Sequence, residues 1–166
     1  MRVLVTGNRG LIGGAVVTRL EAEGDTVVGF DFLDGHDILD APAVAAAARG
    51  CDAIVNAAAG GRRGGTDPGA DFITYNVTGT WNVLAAARDA GIRRVVTFSS
   101  VNALGIFSGN GIPDYLPIDD AHPPRPTTAY GMAKRLCEEL CRCFTLSTGI
   151  ATICLRPPAV LGPARR

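Results

Sequence analysis

No stretch of this chain approaches the roughly 20 consecutive apolar residues of a membrane span, although 47% of its residues are apolar. Nor does either charge dominate: 16 Lys and Arg balance 16 Asp and Glu, for a formal net charge of zero. Nucleic-acid and membrane-surface proteins usually present a basic field, so neither partner is expected. Arg62-Arg63 and Arg165-Arg166 are isolated pairs that read as solvated surface. Met1-Arg2 runs at once into the strand-like Val3-Leu4-Val5, without the charged and long apolar regions of a secretory leader. A soluble cytoplasmic protein is the expectation.

Patterns for disulfides and metals are also missing. The five cysteines are an odd number in a chain without a leader, which argues against a disulfide framework. Cys137, Cys141 and Cys143 lack the paired C-x-x-C of a zinc site and have no histidine nearby in sequence, so no metal is expected. Cys137 and Cys141 lie one helical turn apart and read as small buried apolar groups. The two histidines, His36 and His122, fall in turn-rich loops without an acid at triad spacing, and read as solvated. Asp119-Asp120 reads as a loop turn, and no second acidic cluster suits paired-carboxylate hydrolysis. There is no internal repeat.

What is present is one domain's length, 166 residues, with enough apolar residues for a core. Short β-branched runs alternate with helical patterns. Strands are expected over 2–6, 26–30, 53–56, 94–98 and 150–155. Helices are expected over 11–23, 42–48, 71–90 and 127–148, each followed by glycine or stopped close to one. Strands without period-2 alternation, each followed by a helix, imply a doubly wound α/β fold with a parallel sheet covered on both faces. Ligands of such sheets bind beyond the carboxyl ends of the strands. The glycine- and proline-rich stretch from Asn102 to Pro126 is long enough to be functional or mobile.

Three groups of residues fall at strand ends or just beyond. Gly7, Gly10 and Gly13 lie in a turn that follows the first strand and opens the first helix. There, glycines permit a tight turn, close approach of a pyrophosphate, and helix–strand packing, while the helix-start amides face the phosphates. Asp31 ends the second strand, where a carboxylate can accept hydrogen bonds from the adenine ribose and repel a 2′-phosphate. That favours NAD over NADP, although Arg9 beside Gly10 is a residue that NADP could use. Tyr130 and Lys134 are spaced about one helical turn apart. A cation so placed would lower the phenol from its ordinary pKa of about 10 and suit it for proton transfer.

With these residues in hand, the chain resembles the short-chain dehydrogenase/reductase superfamily, in particular its extended branch, the NAD-dependent epimerase/dehydratase family. Thr6-Gly7-Asn8-Arg9-Gly10-Leu11-Ile12-Gly13 matches the T-G-x-x-G-x-x-G turn of that branch. Asp37-Ile38 resembles the acid–aliphatic pair beside the adenine. Asn56-Ala57-Ala58-Ala59 resembles the segment beneath the cofactor. The run Asn76 to Leu84 resembles the long central helix, Phe98-Ser99-Ser100 with Gly105 the serine segment, and Tyr130 to Lys134 the Tyr-x-x-x-Lys. Leu155-Arg156-Pro157 through Leu161-Gly162-Pro163 resembles the strand-end segment that opens the substrate site. Leu104 departs from the family's frequent tyrosine.

The resemblance implies a Rossmann-type NAD-binding domain over 1–166 and a catalytic set of Ser100, Tyr130 and Lys134. In that set Tyr130 exchanges the proton, Ser100 orients the substrate oxygen, and Lys134 tunes Tyr130 and binds the nicotinamide ribose. The family's spacing to Gly105 favours Ser100 over Ser99. The cofactor would touch Gly7 to Gly13, Asp31, Asp37, Ile38, Asn56, Ala57, Ala58, Asn76, Tyr130 and Lys134. Asn76 is open between a role at the site and a plain bond to a neighbouring loop. The implied substrate is a sugar or nucleotide-sugar, and the implied assembly is a homodimer through helices 71–90 and 127–148. Family members continue well past Arg166 with residues that cover the substrate, so a non-catalytic dinucleotide-binding module is the alternative expectation.

Overall fold

The computed structural model describes residues 1–60, 68–106 and 111–162; the Arg62-Arg63 and Arg165-Arg166 pairs and Pro163 lie outside the described residues. Five strands form one parallel sheet: β1 (Arg2–Thr6), β2 (Thr26–Phe30), β3 (Ala53–Asn56), β4 (Arg94–Phe98) and β5 (Ala151–Leu155), in the order β2-β1-β3-β4-β5. The chain reverses direction across the sheet between β1 and β3, so the loops that leave these strands diverge and open a crevice. The register aligns the carboxyl ends. Thr6 lies opposite both Phe30 and Asn56, Asn56 opposite Thr97, and Phe98 opposite Leu155.

The helices are α1 (Leu11–Ala22), α2 (Ala41–Ala48), α3 (Pro68–Ile73), α4 (Gly79–Asp89) and α5 (Ala129–Thr148). Pro42 sits in the first turn of α2, where its missing N–H costs nothing, and the Asp40 carboxylate caps that turn. Thr128 caps α5 through the Gly131 amide, and Gly149 ends it in the left-handed conformation. The helix expected over 71–90 is interrupted: Thr74–Thr78 forms a π-helical turn between α3 and α4. Such a turn displaces one backbone carbonyl from the α ladder, and these turns are frequent at functional sites.

The core lies between the sheet and the layer of α2, α4 and α5, around Leu4, Ile54, Val83, Leu84, Val95 and Phe144. Among the described residues, the second face of the sheet is covered in part. Right-handed crossovers put α1 on the opposite face, against β1 and β2. Beyond it, Ile153 and Leu155 of β5 are 57% and 41% exposed. Their neighbours Thr152 and Cys154 face α5: Thr152 donates to the Cys141 carbonyl at 3.2 Å, and the free thiol of Cys154 lies beside that of Cys141. His122 also departs from expectation. It is 3% exposed, with Nε2 accepting the Asp114 amide at 3.0 Å and Nδ1 3.2 Å from the Pro123 carbonyl. The ring thus satisfies a loop that lacks ladder partners.

After β4, Val101–Leu104 forms a short 3-10 turn that ends at Gly105 with φ 81°. A Cβ at Gly105 would run into the Arg125 carbonyl oxygen. Gly105→Ala combines left-handed strain with a backbone collision, so it is expected to destabilise by about 2 kcal/mol or more. Urea unfolding of both proteins measures this.

Candidate active site

The glycine turn makes a cradle from backbone alone. Gly7 has φ 70°, and a Cβ on it would come within 2.7 Å of the Ala57 and Ala58 backbone. A Cβ on Gly13 would collide with the Gly7 carbonyl, so β1 and α1 can meet only through a bare backbone. At Gly10 the sole close neighbour would be the Gly7 carbonyl oxygen at 3.2 Å, and the rest is open. Gly10 is also the N-cap of α1, with no side-chain cap and no acid in the first turn. The first amides of α1 therefore point unpartnered by side chains toward the crevice, where a phosphate fits.

That crevice is a cleft of about 650 Å³. Gly7, Arg9, Gly10, Leu11, Ile12 and Gly13 form one wall. Asp31 and Ile38 line the side toward β2, and Ala57 and Ala58 form the floor. Asp31 Oδ2 accepts the Arg9 amide at 3.0 Å and Oδ1 accepts the Leu33 amide at 2.9 Å, which orients the carboxylate while leaving lone pairs. The Arg9 guanidinium turns to Asp34, at 3.4 Å. The pairing answers Arg9 with an acid and weakens its claim on a 2′-phosphate.

Other expected residues stand behind the cleft wall rather than on it. The Asn8 side chain lies against Gly29, and its buried Oδ1 has no hydrogen-bond partner among the described residues. Asp37 accepts the Leu39 amide at 2.9 Å in a turn that sets Ile38. Asn56 is 2% exposed and joins a buried polar chain. Thr6 donates to Asn56 at 2.7 Å, Asn56 to Thr80 at 3.4 Å, Thr80 to Cys137 at 3.4 Å, and Cys137 to the Asn76 carbonyl at 3.4 Å. Asn76 lies in the π turn and donates to the Gly60 and Phe72 carbonyls, both at 2.8 Å. Its bond to a neighbouring loop is thus real, while its buried Oδ1 has no partner among the described residues.

Ser100 and Tyr130 meet at the far end of the cleft, both lining it. Ser100 ends the β4 segment, is 8% exposed, and accepts the Asn102 amide at 3.1 Å. Its hydroxyl faces the half-buried Tyr130 across the cleft. Tyr130 packs its ring edge-on against Phe72, 5.5 Å between centroids. Lys134 is 3% exposed, with Nζ donating to the Phe98 carbonyl at 2.9 Å and lying 5.8 Å from the Tyr130 ring centroid.

The electrostatics correct one expectation. Tyr130 is not lowered: burial raises its pKa above the ordinary value, and the Ser100 hydroxyl opposes this only in part. Lys134 is itself lowered by burial. Its ammonium is turned to Phe98, so a cation at the right spacing does not outweigh desolvation of the phenol.

The sequence reading did not pick out Tyr75, beside Asn76, as a cleft residue, and it reached Pro158 only as part of the strand-end segment 155–163. Neither carries a signal of its own.

Because the folded state holds fewer protons on Lys134 than the unfolded chain, its burial costs stability at neutral pH. That cost shrinks as pH rises toward the ordinary value of 10.5. Lys134→Met keeps the length without the charge. It is expected to melt no lower than the wild type at pH 7, with the difference narrowing toward pH 10. Thermal melts across that range measure it.

Comparison with known proteins places this geometry. The profile of the NAD dependent epimerase/dehydratase family matches residues 3–166. A UDP-glucose 4-epimerase of Rhizobium meliloti is 34% identical over 93% of this chain and 50% of its own length. A GDP-mannose 3,5-epimerase 1 of Oryza sativa is 30% identical over 98% of this chain and 47% of its own. Among solved structures, a short-chain dehydrogenase/reductase superfamily protein of Agrobacterium tumefaciens with bound NAD superposes with a TM-score of 0.82 at 34% identity. It matches 94% of this chain and 48% of its own. The chain thus spans about half the length of these relatives. A glycine cradle at the β1–β3 crevice, a serine and a Tyr-x-x-x-Lys beside it, and a profile match from residue 3 to 166 lead to one conclusion: this chain belongs to the NAD-dependent epimerase/dehydratase family.

Proposed function

We propose that residues 1–166 form the dinucleotide-binding domain of an NAD-dependent oxidoreductase or epimerase acting on a hydroxyl of a sugar or nucleotide-sugar. The observation that carries this is the meeting of Ser100 and Tyr130 in the same cleft as the glycine cradle. The relatives that are UDP-glucose 4-epimerases, and a solved neighbour binding UDP-glucose with NAD, support the substrate class.

The cofactor's phosphates would lie on Gly10 and the first amides of α1, its adenine ribose at Asp31, and its rings over Ala57 and Ala58. When bound, NAD supplies the hydride acceptor. The phenol oxygen of Tyr130 takes the proton of the substrate hydroxyl, and Ser100 holds that same oxygen in line. Both act within hydrogen-bond reach, as acid–base catalysis requires. Lys134 spends one of its three donors on Phe98, leaving two for the nicotinamide ribose and the field at Tyr130. Since burial raises Tyr130, the phenolate is scarce at neutral pH. Oxidation is therefore expected to accelerate as pH rises from 7 into the alkaline range.

A homodimer through α4 and α5 is part of this proposal. Trp81, Met132 and Leu136 are 47%, 44% and 47% exposed on these helices, an apolar outer surface that a second copy would cover. Sedimentation at micromolar concentration would show a dimer mass; a monomer mass would remove this part.

A non-catalytic dinucleotide-binding module is the second reading, favoured by the burial that holds Tyr130 above its ordinary pKa. Calorimetry with NAD beside a screen of UDP-sugars for NADH formation separates the two. Binding without turnover on any sugar supports the module. Tyr130→Phe is expected to remove turnover by about a thousandfold while leaving NAD affinity within about threefold. Asp31→Ala is expected to weaken NAD roughly tenfold and to narrow the preference over NADP.

A further inference from the structure

A carboxylate that the proposed chemistry does not use lies buried behind the site. Glu138 sits one helical turn beyond Lys134 on α5 and is 7% exposed. A buried charge must be paired and hydrogen-bonded to be tolerated. Ser99 Oγ donates to its Oε1 at 2.6 Å. Arg156 grips it as a fork, Nε to Oε1 at 2.8 Å and Nη2 to Oε2 at 2.9 Å. Arg135 adds Nη1 to Oε2 at 3.3 Å. Burial alone would raise the carboxyl, but the bonds from Arg156 and Ser99 outweigh it and hold Glu138 below its usual range. It is a charged anchor at neutral pH.

These partners come from separate elements. Ser99 follows β4, Arg156 follows β5, and Glu138 belongs to α5. The same helix grips β4 a second time, through Lys134 and the Phe98 carbonyl. The two strand ends are laced together, Ser99 N to the Leu155 carbonyl at 2.7 Å and Val101 N to the Pro157 carbonyl at 3.3 Å. Ser100 is the residue between those two amides. Its place relative to Tyr130 therefore depends on how the β4 end sits against α5, and Glu138 bonds that end directly.

We infer that Glu138 is a positioning residue: by tying α5 to the ends of β4 and β5, its carboxylate sets the contact between Ser100 and Tyr130. The inference rests on the reading of Ser100, Tyr130 and Lys134 as the acid–base set. Glu138 touches neither substrate nor cofactor in it.

The test follows the Tyr130 phenol by NMR titration of the full chain labelled with 13Cζ-tyrosine, the resonance being assigned by its loss in Tyr130→Phe. Two variants loosen the anchor without stranding its charge. Arg156→Lys keeps the positive charge and removes the fork. Ser99→Ala keeps the ion pair and removes the tether to β4. Both are expected to bind NAD within about threefold of wild type. Both are expected to raise the Tyr130 midpoint by about half a pH unit or more, because the Ser100 hydroxyl that lowers it is displaced. If Arg156→Lys does not fold, the small change Ser99→Ala decides alone. An unmoved midpoint in either variant that still binds NAD overturns the inference, since a merely structural ion pair would shift the melting temperature and leave the phenol untouched. The readout needs no turnover, so absence of sugar oxidation by the wild type refutes the proposed function while the midpoint still judges Glu138.

Discussion

A buried ammonium must be held, and the position of Lys134 constrains much of this molecule. At 3% exposure its Nζ reaches the Phe98 carbonyl, so α5 has to lie across the carboxyl end of β4. For the helix to arrive there it must begin where Thr128 caps it. Beginning there carries Tyr130, one turn earlier than Lys134, toward Ser100. On its inner side the same helix brings Cys137 to Thr80 and the Asn76 carbonyl. From Thr80 the polar chain runs through Asn56 to Thr6, beneath the glycine cradle. The Tyr130 end of the cleft and the cradle are thus joined by a buried network whose members lose more if left unpaired than they gain when paired.

The two ends of the cleft are built by opposite means. The cradle end consists of missing side chains: Gly7, Gly10 and Gly13 work because nothing projects from them. The Tyr130 end consists of side chains taken out of water, with Ser100 bonded to the Asn102 amide and Lys134 to the Phe98 carbonyl. Substitutions at the first end fail by collision, whatever their chemistry. Those at the second act through the charges and polar groups they bury or free, so chemistry matters more than size.

Much of this was legible in the chain. The strands over 2–6, 26–30, 53–56 and 94–98 appear as read, and the fifth begins one residue later than expected. The reason is that each short β-branched run is bounded by a strong breaker such as Gly24, Gly91 or Gly149. The glycine turn was visible as a local pattern, and the nearness of Tyr130 and Lys134 as a helical spacing, while Ser100 was pointed to only by the family resemblance. What escaped the sequence depends on packing. The π turn at Thr74–Thr78 leaves the apolar period nearly unchanged. The burial of His122 needs a loop amide, from Asp114, that no spacing announces. The raised Tyr130 reflects how much of the ring the fold covers, which one turn of spacing to Lys134 cannot reveal. Glu138 and Arg156 lie on different elements, and in sequence Glu138 reads as one more charge on a helix.

The seam between β1 and β3 has a kinetic side. Thr6 and Asn56 are hydrogen-bonded across a separation of 50 residues. A chain emerging from a ribosome cannot close that seam until β3 has been made, because parallel neighbours need a full crossover between them. Before then the turn at Gly7 is a bend without a floor, since Ala57 and Ala58 supply the surface beneath it. The crevice is therefore acquired in one step, when a long loop closes. A dinucleotide that binds only the closed form would act as a brace on that step, raising the population of the closed chain by mass action without touching the core that made it.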